Sequence, residues 1–200
     1  MQAALDQFRS NIQRVRHIAN LYHYFSGVTT TALDLSDILR AQLVMAVSAL
    51  DHYVHELTRL GMIEIVEGKR AQTPAFLRFQ VPLDATLRAV VPSGGSGWLD
   101  NEVRSRHGYL AFQHPDKIAD AVRLISTIEL WNDLSTTLGI PVRDLKNRLQ
   151  LIVDRRNKIA HEADIDPSYP GVCWPISASD VAGVTDFIEQ LCEAIHVLVP

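Results

Sequence analysis

The segment "DRRNKIAH" at 154–161 brings a guanidinium, a carboxamide and an imidazole close together, as Arg156, Asn157 and His161. Those three types suit phosphodiester chemistry. An arginine keeps its charge and forks onto phosphate oxygens, an amide both donates and accepts, and an imidazole exchanges protons near neutral pH. In phosphoryl transfer the arginine would offset charge growing on the phosphorus oxygens and the asparagine would orient the same group. The histidine would carry protons. Such a set calls for no metal and no cofactor.

The spacing says what must hold these residues. Val142, Leu145, Leu149 and Ile152 recur at steps of three and four, which predicts an amphipathic helix from about 141. The next step lands on Arg156 and the following one on Ile159, so a charge occupies a place on the apolar stripe. An unpaired guanidinium there is costly, so it must meet an acid, line a cleft or face another subunit. At 3.6 residues per turn, Asn157 and His161 share one side of the helix. Arg156 is turned from His161 by roughly 140°, a gap its long side chain can span. Asp164, Asp166 and Pro167 put the helix end soon after His161, near the negative end of the helix dipole. The competing reading is structural, with Arg156 paired to a carboxylate and His161 closing the helix.

Charge gathers on the same segment. The chain has a formal net charge of −4, yet residues 141–161 carry six Lys/Arg against two Asp. Arg148, Arg155 and Lys158 are expected to be solvated charges able to attract a nucleic-acid backbone by its phosphates rather than groups that take part in bond cleavage.

"RRNKIAH" resembles the Arg-X4-6-His signature of the HEPN superfamily in its Arg-Asn-X3-His form, here Arg156, Asn157 and His161. "AVSALDHYVHEL" at 46–57, "FQHPDKIADAVR" at 112–123 and "LIVDRRNKIAHEAD" are similar to the RiboL-PSP-HEPN type of domain, so the likeness covers most of the chain. The resemblance implies an all-α helical bundle of the HEPN type, with long antiparallel helices and short additional helices in mid-chain, as one domain over 1–200. It further implies a homodimer in which two signatures face one cleft, and a metal-independent endoribonuclease of toxin, defence or RNA-processing type. Cleavage would start from the 2′-hydroxyl and leave a 2′,3′-cyclic phosphate. The rival expectation is a non-catalytic module that binds RNA or protein as a regulatory partner. An antitoxin or other regulatory protein is a further expected partner.

The supporting elements read as helices. Leu5, Phe8, Ile12, Val15, Ala19 and Tyr22 mark the first. A second runs from near Asp34 through Leu39, Leu43, Val47, Leu50, Val54 and Leu57, with Gly61 as its expected stop. On it, Ser48, Asp51 and His55 align at steps of three and four, and His52 with Glu56 forms another pair. Surface pairing accounts for both, and the alternative is that Asp51 or His55 supports Arg156 or His161. "HYVHE" lacks the His-Glu-X-X-His order and a third ligand, so no metal site is expected.

From 61 to 115, Pro and Gly break the pattern into short pieces, and "SGGSG" at 93–97 reads as a flexible loop. Helices then follow Pro115, end at Gly139, restart at Pro141, and begin again after Ser177–Asp180. Trp98, Trp131 and Trp174 are expected as core or interface anchors. Hydrophobic residues make up 47% of the chain, enough for a sizeable core, and no apolar run reaches the roughly 18 residues of a membrane span. With no leader-like start and two widely spaced cysteines, the expected compartment is the cytoplasm, with both thiols reduced.

Overall fold

A computed structural model describes residues 1–30, 32–90 and 95–199. Among them the regular structure is helical: α1 Gln2–Val28, α2 Ser36–Val66, α3 Leu83–Ala89, α4 Gly97–His107, α5 Pro115–Arg123, α6 Leu130–Leu138, α7 Val142–Glu162 and α8 Ala178–Leu198, with a 3-10 turn at Phe76–Arg78. The all-α bundle expected from the periodicity is the fold. No helix among the described residues is long and apolar enough to cross a membrane.

Contacts at the helix ends give the directions. The Met1 amino group meets Glu64 at 3.1 Å, so α1 and α2 run antiparallel, with the Phe8 and Tyr53 rings in tilted contact between them. Arg9 forks onto Glu193 at 2.6 and 2.7 Å while Arg16 bonds Asp186 and Glu189, which sets α8 antiparallel to α1. Phe8, Ile12, Leu50, Tyr53, Leu57, Leu145, Leu149, Ile188, Leu191 and Ile195 are all fully buried in the resulting core. Burial of such side chains is the main force that holds helices together, at roughly 25 cal/mol per Å² of apolar surface.

The caps follow sequence chemistry. Ser177 Oγ accepts from the Asp180 amide at 3.2 Å and opens α8. Gly139 closes α6 at φ 67°, where a glycine has no Cβ to clash. Pro141 stands at the start of α7, where a backbone N–H has no helical acceptor.

Gly61 is a correction. It does not stop α2, which runs on to Val66. A methyl at Gly61 would lie 2.7 Å from Ile125 Cγ2 and 2.8 Å from its Cβ, so this glycine serves close packing rather than termination. The "SGGSG" loop is only partly visible: Ser93 and Gly94 lie outside the described residues, Gly95 and Ser96 form a turn, and Gly97 already belongs to α4.

Candidate active site

Helix α7 forms because its apolar stripe can face α2, α5 and α6, and the stripe leaves the core as the helix ends. Leu145, Leu149 and Val153 are fully buried, Arg156 and Ile159 are half-buried, and Ala160 and His161 are exposed. The signature therefore sits where the helix emerges from the bundle.

Arg156 starts on the core side and bends toward Asn157, whose Oδ1 accepts from its Nη1 at 2.9 Å. Its Nε is buried and finds no partner among the described residues. Nor does any carboxylate there pair with Arg156, which is what the structural reading of this arginine requires. Asn157 and His161 lie one turn apart on the side to which the guanidinium has turned. His161 is solvent-exposed, without a bonding partner among the described residues. The three groups thus lie on one flank of the helix end: a half-buried cation with no counter-charge among the described residues, a half-buried amide, and an exposed imidazole.

Neighbouring charges are distributed differently from the expectation. Arg155 was expected among the RNA-holding cations, but its Nη2 bonds the buried Asp164 Oδ2 at 2.7 Å and the carbonyls of Trp174 and Pro175, both at 3.2 Å. Arg148 lies over the Phe187 ring at 4.4 Å and donates to the Gly183 carbonyl. By helical geometry it is roughly 140° around α7 from His161. Lys158 is exposed one turn before His161, with its ammonium 5.3 Å from the centre of the Trp174 ring. Of the expected RNA-holding set, Lys158 is the cation beside the signature.

Asp51 and His55 do not bond Arg156 or His161. Asp51 Oδ1 instead accepts from the Phe112 amide at 2.6 Å, and His55 Nε2 lies 3.2 Å from the Leu110 carbonyl. They pin the segment after α4, which draws them away from the role of supporting the site. The Asp51–His55 separation is 3.9 Å, so they also form the i, i+4 pair expected of a helix surface. Trp131 is buried, donating from Nε1 to the Pro115 carbonyl at 3.1 Å, while Trp98 and Trp174 are partly exposed. Both cysteines are free, Cys173 at the surface and Cys192 in the core.

In the sequence, Asp164 reads only as a helix-ending residue and Arg40 is not singled out. Asp164 has 0% exposure and Arg40 has 7%, and the Arg40 Nε donates to Asp164 Oδ2 at 2.7 Å. Burial opposes the Arg40 charge, but the hydrogen bond and attraction of Asp164 outweigh it, so the guanidinium holds its proton more firmly than a free one. A signal was present. Arg40 directly follows core residue Leu39 and precedes Leu43 by three, the same anomaly of a charge on an apolar stripe that marks Arg156.

No match was found to a curated protein or to a solved structure. The family model RiboL-PSP-HEPN matches residues 9–199, a span that takes in most of α1, all of α2 to α8 and the whole signature segment. On that match, together with its all-helical bundle, the chain belongs to the RiboL-PSP-HEPN family.

Proposed function

We propose that this protein is a metal-independent endoribonuclease acting through Arg156, Asn157 and His161 in a homodimer. The observation that carries the reading is Arg156: a half-buried guanidinium with no carboxylate partner among the described residues, beside an exposed histidine one helix turn past Asn157. A cation left in that condition is suited to an anion supplied from outside, and the RNA phosphate is the anion whose chemistry the histidine completes.

The reaction balances with side chains alone. One imidazole removes the proton from a 2′-hydroxyl, the 2′-oxygen forms a bond to phosphorus, and the bond from phosphorus to the 5′-oxygen breaks. A second imidazole gives a proton to the departing 5′-oxygen. The products are a 2′,3′-cyclic phosphate and a 5′-hydroxyl. Arg156 and Asn157 hold the non-bridging oxygens, and Lys158 adds attraction for the flanking backbone.

One chain contributes a single His161, so a second copy must supply the other. The exposed Ala160, on the azimuth where the stripe is buried further back, leaves the end of α7 open for that copy. One domain over 1–200, cytoplasmic location, a role in toxin, defence or RNA processing and restraint by a regulatory protein all belong to this proposal.

The test is incubation with total RNA in EDTA, with the fragment ends mapped and the mass in solution measured. A dimer that yields cyclic phosphate ends, and whose His161→Ala variant loses cleavage with an unchanged circular dichroism spectrum, is the expected result. Undiminished cutting by His161→Ala sinks it. RNA binding that Arg156→Ala removes, in a wild type that never cuts, instead establishes a non-catalytic binding module.

A further inference from the structure

Ala163 and Asp164 follow α7 directly and hold positive φ angles of 52° and 58°. No other non-glycine residue among the described ones does so. Side chains resist that region, and strained backbone persists only where surrounding contacts over-determine it. The amides of both residues reach the Lys158 carbonyl, at 3.0 Å for Asp164, which folds the chain back on the last turn of the helix.

Ionic contacts hold that turn in place. Asp164 Oδ2 receives Arg40 Nε from α2 and Arg155 Nη2 from α7, each at 2.7 Å. The Asp164 carbonyl accepts from the Trp174 amide at 2.9 Å, and the Trp174 carbonyl accepts from Arg40 at 2.8 Å. A fully buried carboxylate thus ties the residue three places after His161 to the start of α2, 124 residues away in the chain. His161 has no bond of its own among the described residues, so its place depends on the backbone of that final turn.

We propose that Asp164, gripped by Arg40 and Arg155, is the positioning group that holds the last turn of α7 and keeps His161 in register with Arg156 and Asn157. This rests on reading His161 as the proton carrier, and adds what keeps it in place.

The two arginines grip in unequal ways. Arg40 uses all three guanidinium nitrogens in different directions, Nε on Asp164, Nη2 on the Trp174 carbonyl and Nη1 on Ser36 Oγ. No lysine reproduces that fork. Arg155 meets Asp164, Trp174 and Pro175 through Nη2 alone, which one ammonium nitrogen with three donors can replace.

The experiment follows the histidine ring Cε1–Hε1 cross-peaks by NMR, with His161 assigned through its loss in His161→Gln. Asp164→Asn keeps the size of the residue and its tolerance of positive φ. There the His161 cross-peak is expected to move or split, while His17 and His23 of α1 stay in place. Arg40→Lys should do the same and carries the test if Asp164→Asn does not fold. Arg155→Lys should superimpose on wild type, whereas Arg155→Ala should not. With RNA, Asp164→Asn lowers turnover by roughly tenfold to a hundredfold, with KM within about twofold. A His161 cross-peak at the wild-type position in both Asp164→Asn and Arg40→Lys overturns the proposal, whatever the RNA assay gives. A displaced cross-peak in a protein whose wild type cuts no RNA supports the positioning role and removes the nuclease reading.

Discussion

Asn157 decides how much of the Arg156 charge is left for a ligand. As an amide it accepts one hydrogen bond from Nη1 at 2.9 Å without neutralising the guanidinium. An aspartate in its place would turn that contact into an ion pair, and any phosphate would have to displace it. Asn157→Asp is therefore expected to weaken RNA binding about tenfold, equivalent to about 1.4 kcal/mol, with no fall in melting temperature. Fluorescence anisotropy with an uncleavable 2′-O-methyl RNA and calorimetry measure the two sides. Unaltered affinity would show that Arg156 does not bind the phosphate. The neighbouring Arg155 illustrates the opposite case, a charge committed to the buried Asp164.

At the scale of elements, the packing of α2 against the chain after α5 depends on one missing methyl. In an exposed helix, replacing glycine with alanine gains about 1 kcal/mol because backbone entropy is no longer lost. At Gly61 the sign should reverse, since the added carbon would lie 2.7 Å from Ile125 Cγ2. Gly61→Ala is expected to cost about 1–3 kcal/mol, the usual penalty for overpacking, and to lower the melting temperature accordingly. In an Ile125→Ala background, which lacks two of the three crowding atoms, Gly61→Ala should cost less than it does in the wild type. A rise in melting temperature for the single variant would contradict this packing.

For the whole molecule, stability should fall in mild acid because of a histidine far from the signature. His107 is buried among Phe79, Phe112 and His55, with its Nδ1 unpartnered among the described residues. Burial, with some repulsion from His55, pulls its pKa from the ordinary 6.5 down to about 4. Between those values the unfolded chain binds a proton that the native chain refuses. Stability is then fully present above about pH 6.5 and drains away as the pH falls toward 4, by on the order of 3 kcal/mol. His196, also lowered by burial, adds in the same direction. Melting curves across pH 7.5 to 4.5 should show the loss, and His107→Phe should flatten it. An equally steep fall in that variant would assign the acid sensitivity elsewhere.

How much could be read from the chain depended on the range of the interaction. The helices, the Ser177 cap and the Gly139 stop are products of near neighbours: a side chain repeats every three or four residues, or a hydroxyl reaches an amide three residues on. The candidate signature was legible for the same reason, since Arg156, Asn157 and His161 share one helix and their azimuths follow from counting. Gly61 was misread because the same residue type suits a helix end and a tight crossing, and only the position of Ile125 tells them apart. Asp51 was given a choice of partners, and the fold handed it the Phe112 amide 61 residues away.

Sequence alone therefore determined the helical class, the family likeness and the identity of the polar trio. Tertiary structure decided which arginine is neutralised and which is left open: Arg155 and Arg156 are adjacent in the chain, but 100° of helical rotation sends one to Asp164 and the other to Asn157. The cause is physical. A carboxylate can compensate a buried cation only within a few ångströms, and folding alone brings Arg40 and Asp164 that close.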